Sequence, residues 1–108
     1  MNYNEMTAAQ CADWLAEKDG WTLVGGFWVS ELLRSVVPSF HPYPLTLDAA
    51  AGALREPWRL VRLDVSKSGR ALAVIYCESP EKWEHMSGPD ELTARYRAAV
   101  AARMEEDK

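Results

Sequence analysis

Apolar residues near the start of the chain recur at the spacing of one helix face. The segment Thr7-Ala8-Ala9-Gln10 has the form of a capping box, in which Thr7 and Gln10 each bond the other's backbone amide through their side chains. Gly20 suits the left-handed conformation in which many helices end. The pattern therefore predicts a helix over residues 8–19. Its buried stripe consists of Ala8, Cys11, Ala12 and Leu15.

The next part of the chain has no single period. Residues 21–24 predict a short strand that ends at Gly25-Gly26. Residues 27–37 are largely apolar and are compatible with a strand or with a brief helix capped by Ser30. The proline-rich residues 38–44 predict a stiff, extended connection.

A second helix and a hairpin follow. Thr46 is placed to cap an alanine-rich helix over residues 47–55, which Pro57 stops. Its predicted inner face consists of Leu47, Ala50, Ala51 and Leu54. Residues 58–65 and 70–78 are rich in β-formers and predict a hairpin. Their alternation is imperfect near Leu60-Val61, which predicts either a β-bulge or a sheet covered on both faces.

The last segments are a polar stretch and a third helix. Residues 79–88 predict a polar loop, and Pro89 suits the first position of a helix with Asp90 and Glu91 in its first turn. The apolar stripe of this helix consists of Leu92, Tyr96, Ala99, Val100 and Met104.

The order of elements is typical of an α+β fold, because helices and strands mingle without regular βαβ crossovers. Neither face of residues 71–77 is plainly polar, so we expect a small, mainly antiparallel sheet with helices on both faces. We expect one domain over residues 1–108, with residues 1–6 as an extension and residues 105–108 as a frayed tail.

Composition narrows the function classes. Of 108 residues, 48% are apolar and five are tryptophan, which suffices for a compact core. The net charge of −4 disfavours nucleic acid as a partner, because duplex-binding domains carry a basic excess. No stretch approaches the roughly 20 apolar residues of a membrane span. The first residues lack the features of a secretory signal, so a cytoplasmic location with reduced cysteines is expected.

Residues that could carry chemistry are few and poorly spaced. Cys11, Cys77, His41 and His85 do not occur at the spacing of metal ligands, so no metal is predicted. Cys77 ends an apolar strand, which favours an inert thiol over a nucleophile. Gly25-Gly26 has no phosphate-binding motif around it. The sequence therefore predicts no catalytic residue, no cofactor and no enzymatic activity.

The run from His41 to Ala51, Trp58 before the hairpin, and the run from Gly88 to Val100 resemble small bacteriophage and prophage proteins of the phage ABA-sandwich type. The resemblance covers roughly residues 41–103, and residues 27–39 depart from it as an insertion would. It implies a three-layer α/β/α sandwich in a phage- or prophage-encoded accessory protein of a bacterial host cell. It supplies no catalytic motif.

Two groups of side chains are candidate surfaces. The first is aromatic and fits either an interface or the closing of one end of the sheet. It consists of Phe27, Trp28, Phe40, Tyr43 and Trp83. The second is basic and fits an anionic ligand or acidic partner, or else an edge strand guarded by charge. It consists of Arg55, Arg59, Arg62, Lys67 and Arg70.

These surfaces favour a non-enzymatic protein-interaction module that binds a partner protein or forms a homodimer. The alternative is a domain that binds a small anionic ligand in a pocket between the sheet and a helix. No membrane association is expected.

Overall fold

The computed structural model of the chain describes residues 5–30, 35–37 and 41–106. Its elements in chain order are α1 (Ala8–Lys18), β1 (Trp21–Val24), β2 (Phe27–Ser30), β3 (Ser35–Val37), α2 (Leu47–Ala53), β4 (Trp58–Val65), β5 (Ala71–Glu78), β6 (Glu81–Gly88) and α3 (Glu91–Glu106). The strands form two antiparallel sheets, which we call the meander (β1-β2-β3) and the main sheet (β4-β5-β6). The predicted α+β class with a small antiparallel sheet is confirmed.

Helix α1 begins and ends as predicted. Thr7 Oγ1 accepts a hydrogen bond from the Gln10 N–H at 3.1 Å, and Gln10 Oε1 accepts one from the Thr7 N–H at 2.9 Å, which completes the capping box. Asp19 is the C-cap, and Gly20 follows with a φ of 89°. The buried residues of the helix are Cys11, Ala12, Leu15 and Ala16.

The meander resolves the ambiguous apolar segment in favour of strands. Gly25 and Gly26, with φ angles of 56° and 86°, connect β1 to β2, and two such residues match the twist of a tight hairpin. Ser30 lies within β2, and β3 follows after four residues, so residues 35–37 adopt the strand and not the helix of the two alternatives that the sequence left open. Residues 31–34 and 38–40 lie outside the described part of the chain.

Helix α2 is shorter than predicted. Thr46 caps it as expected, but the helix ends at Ala53 and not at residue 55. Ala50 and Ala53 are its buried residues, whereas Leu47 is exposed. The buried face of α2 is therefore rotated about the helix axis relative to the predicted face.

The main sheet contains one predicted and one unpredicted feature. The register of β4 against β5 shifts between Leu60 and Arg62, which confirms the β-bulge. Residues 79–88, predicted as a polar loop, instead contribute β6, which pairs with β5 over its whole length. Polar residues suit β6 because it is an edge strand, where charge limits pairing with other chains.

Helix α3 is central. One side packs on β5 and β6, and the other packs on α1 and α2. Its alanines allow both neighbours to approach closely. The buried residues are Thr93, Ala94, Tyr96, Ala98, Ala99, Val100, Ala101 and Ala102. The order of layers therefore differs from the predicted sandwich: among the described elements α3, and not the sheet, lies in the middle, and helices cover one face of the main sheet.

Gly88 lies at a close approach of β6 to α3. A Cβ at this position would lie 2.8 Å from the backbone nitrogen of Ala94. Glycine is the residue that permits this separation, so it sets how closely the sheet packs on the helix.

Two residues that we predicted to lie in an N-terminal extension and a frayed C-terminal tail, Met6 and Glu105, are part of the folded structure. Met6 is buried, and its carbonyl oxygen accepts a hydrogen bond from Arg97 Nε at 2.8 Å. Glu105 continues α3, and its carboxylate forms an ion pair with Lys82 of β6. Residues 6 and 105 are therefore structural, and not parts of an extension or a frayed tail.

Candidate interaction surface

The main sheet has one face packed on α3 and one face that no described helix covers. Successive residues of a strand point to opposite faces. The packed face carries Trp58, Ala73, Ile75 and Met86. We call the other face the open face. Its residues are Arg59, Arg62, Asp64, Leu72, Val74, Tyr76, Glu78, Glu81, Trp83, His85 and Ser87.

Three side chains form a row across the open face. Arg59, Tyr76 and Trp83 are direct neighbours on β4, β5 and β6. The rings of Tyr76 and Trp83 have centroids 4.5 Å apart, and the Arg59 guanidinium carbon lies 5.4 Å from the Tyr76 centroid. Desolvation and the charges of Glu81 and Glu78 raise the pKa of Tyr76 above its ordinary 10. Trp83 is 53% exposed.

Charge on the open face is divided between its two ends. Glu78 and Glu81 pair with each other in register at the end nearest the β5–β6 turn. Arg70 lies beyond the opposite end, beside the loop that joins β4 to β5. Between them, Arg62 Nε lies 2.8 Å from Asp64 Oδ2. Glu78 and Glu81 therefore lie at one end of the face and Arg70 at the other, while Arg59 occupies the row next to the acidic pair and Asp64 the row next to Arg70.

The predicted basic set does not form one patch. Arg55 Nη2 donates to the partly buried Asp19 at 2.8 Å, away from the sheet. Arg59 and Arg62 lie on β4, an edge strand interrupted by a bulge, and this placement fits the guarding role. The two remaining members are exposed at the hairpin loop: Lys67 and Arg70.

The predicted aromatic set is divided as well. Trp28 and Tyr43 are 7% and 9% exposed, and both belong to the core around α1 and α3. They are corrected from surface to core residues, because large rings dominate small cores. Phe27 and Trp83 are exposed, but on different sheets. Phe40 lies outside the described residues.

The sequence sets missed Tyr76 and His85 of the open face. His85 is visible once residues 81–88 are treated as a strand with a period of two, because Trp83 and His85 then share a face, whereas Tyr76 joins them only through the pairing of β5 with β6. The prediction of a loop for this stretch hid that signal.

A second apolar surface lies at the end of the β1–β2 hairpin. Leu23 and Val24 are 58% and 57% exposed, and Val24 is directly opposite Phe27. We call these three residues the hairpin tip. It differs from the open face because it contains no charged side chain.

A cluster of charges centres on Asp19. Arg103 donates to Asp19 Oδ1 at 2.8 Å, and Tyr43 and Arg55 donate to Oδ2. Burial by itself would raise the pKa of Asp19, but hydrogen bonds from Tyr43 and Arg103 and the charges of both arginines lower it below its usual 3.8. The cluster joins the end of α1 to α3 and to two loops, so we interpret it as structural.

The described residues do not assemble a nucleophile with a base. Cys11 and Cys77 are buried, and burial raises the pKa of Cys11 to about 11. Cys77 Sγ contacts the Ser79 carbonyl oxygen at 3.9 Å. His41 is occupied, since its Nδ1 accepts the Tyr43 N–H at 2.8 Å. No group of three metal-ligating side chains occurs in the described ranges.

A cavity of about 130 Å³ lies between the main sheet and the end of α3, and a second, smaller cavity lies between α2, β4 and α3. The smaller cavity has a volume of about 30 Å³ and is lined by Ala50, Leu60 and Arg95, among others. This is room for about one water molecule, and both volumes are below the roughly 300 Å³ at which ligand pockets begin. Arg95 Nε is also engaged, at 2.9 Å from Glu91 Oε2. The alternative of an anionic-ligand pocket between sheet and helix has no support at either position.

No family model, no curated protein and no solved structure matches the chain. None of the helices in the described ranges combines the length and the apolar character needed to cross a membrane.

Proposed function

We propose that the protein is a non-enzymatic protein-interaction module whose contact surface is the open face. The observation that carries the proposal is Trp83, half exposed and packed on Tyr76 within a sheet face that no described helix covers. Tryptophan, tyrosine and arginine are the side chains that most often anchor protein interfaces. A ring held on a packed strand also loses little conformational entropy when a partner binds.

The resemblance to phage proteins supplies the proposed setting. A small accessory protein encoded by a phage or prophage would act in the cytoplasm of its bacterial host through contacts, without chemistry of its own. Its partner is then a phage protein, a host protein or a second copy of the chain.

Affinity capture tests the proposal. Wild type, Trp83→Ala and Leu47→Ala serve as tagged baits in a bacterial lysate that also contains a copy with a second tag. Leu47 is the matched control, because it is similarly exposed but lies on α2. We expect a protein that the wild type and Leu47→Ala both capture, with recovery reduced at least about tenfold by Trp83→Ala.

Mass spectrometry of the captured proteins gives the readout. The same set at the same recovery from all three baits would refute the open face as the contact surface.

A further inference from the structure

The division of charge on the open face fits a second copy of the same chain. This inference rests on the proposed function, since it names the partner of the open face. We infer that two copies pair through their open faces about a two-fold axis that crosses the strands at the row of Val74. A two-fold interface requires a surface that is complementary to itself.

The register determines which residues meet. An axis parallel to the sheets and perpendicular to the strands places each strand opposite its own copy and reverses its direction. Arg62, Val74 and His85 form the row at the axis; Val74 is already buried within one copy, whereas Arg62 and His85 are exposed. Residues equally far from this row on either side then face each other, so Tyr76 of one copy meets Leu72 of the other.

The same placement brings unlike charges together. Glu78 of one copy faces Arg70 of the other, and Arg59 faces Asp64. An axis along the strands would instead place the acidic ends of the two copies, with Glu78 and Glu81, against each other, and like charges in contact are costly. The charge pattern therefore selects the first axis.

One like-charge contact arises at the axis itself, where Arg62 approaches its own copy. Its side chain lies at the exposed edge of the sheet and is paired with Asp64 of its own strand at 2.8 Å. That ion pair offsets the repulsion, and water screens what is left.

Shape agrees with charge. A shallow hollow, largely open to solvent, lies at the Arg70 end of the open face and is lined by Asp64, Leu72, Ser87 and Arg70, among others. Trp83 is as far from the axis row as Ser87, on the opposite side and on the same strand. The protruding indole of each copy is therefore directed at the hollow of the other.

The size of the face predicts a weak dimer. Three strands of eight residues span roughly 27 Å by 14 Å, and stacked sheets lie about 10 Å apart. This face is smaller than the roughly 800 Å² per partner of a standard stable interface. We expect dimers that form and dissociate in the micromolar concentration range.

Sedimentation equilibrium of the full chain over a concentration series tests the pairing. Glu78→Arg should weaken dimerisation at least about tenfold, and adding Arg70→Glu should restore it to within about threefold of wild type. Ser87→Tyr, which fills the hollow on an exposed strand, should also weaken it. Glu17→Arg is the matched control, because it makes the same charge change at an exposed position of α1 and should have no effect.

The outcomes separate the two proposals. A strict monomer at all concentrations, or a double variant as weak as Glu78→Arg alone, would overturn the self-pairing. If the capture of a different protein still depends on Trp83, the proposed function stands even though the self-pairing is refuted. If neither self-pairing nor any captured protein depends on Trp83, both proposals fail.

Discussion

The two sheets of this protein are attached to the rest of the fold in different ways. The main sheet has strands of eight residues and packs one face on α3 through Ile75 and Met86. The meander has strands of three or four residues and is anchored by Trp21, which packs beside α1, and by Trp28, whose ring lies 4.8 Å from His41. Because stabilisation follows buried apolar area, the main sheet contributes more to the free energy of folding.

As a result, an exposed side chain is held more firmly in the main sheet than in the meander. Trp83 is exposed on β6, and the other face of β6 packs against α3, so the position of Trp83 is fixed by the fold. The hairpin tip is exposed at the end of a small element with few described contacts to the body. A preorganised position favours binding, which is why the open face, and not the hairpin tip, is the proposed contact surface.

The largest effect is expected in the packed face of the main sheet. Ile75 is fully buried on the central strand, so Ile75→Ala removes buried carbons and leaves a cavity. The free energy of unfolding should fall by about 2–5 kcal/mol, measured by urea denaturation followed by circular dichroism. Val61→Ala is the control: this residue is exposed at the bulge and should change stability by less than about 0.5 kcal/mol. Equal losses for both variants would contradict the packed face.

An intermediate effect is expected at Asp19, which joins the end of α1, just before the meander, to α3. Asp19→Asn weakens charge-assisted hydrogen bonds from Arg103 and Arg55 and should cost about 1.5–3 kcal/mol at pH 7. The folded-state pKa of Asp19 lies below its ordinary 3.8. Its contribution is therefore fully present above pH 3.8 and is lost as the pH falls through the folded-state pKa.

Urea denaturation of wild type and Asp19→Asn from pH 7 to pH 3 measures this dependence. The stability difference between them should be constant above pH 4.5 or so and should narrow below pH 3.8. Glu17→Gln, an exposed carboxylate on the same helix, should show no such narrowing. A gap that widens on acidification would show that Asp19 does not stabilise the fold as a carboxylate.

The smallest effect is expected at the hairpin tip. Val24→Ala and Phe27→Ala remove side chains that are largely solvated, so each should change the free energy of unfolding by about 0.5 kcal/mol or less. Hydrogen exchange compares the local stability of the meander amides with that of the main-sheet amides, and it resolves smaller changes than urea denaturation does. A loss above about 2 kcal/mol at either position would mean that the tip is packed and that the contrast between the two sheets is false.

Prediction from the sequence succeeded where the signal was local. The capping box of α1, Gly20 after it, the Thr46 cap and the bulge near Leu60 all depend on residues within one or two turns or strand positions of one another. Prediction failed for residues 79–88, because an edge strand that faces solvent has the polar composition of a loop.

The candidate surface was predicted only in part for the same reason. Trp83 and Arg59 were identified by their residue types, but Tyr76 joins them only through strand pairing. Burial of Trp28 and Tyr43 could not be inferred, since it depends on packing against α1 and α3, which lie far along the chain.

By itself the sequence determined the helix caps, the glycine turns, the β-rich segments and the absence of metal-ligand spacing, because each of these is encoded by neighbouring residues. Only the tertiary structure decided that α3 occupies the centre, that no described helix covers one face of the main sheet, and that Glu78 and Arg70 lie at opposite ends of that face. These features depend on strand register and on contacts between distant segments, which no local pattern records.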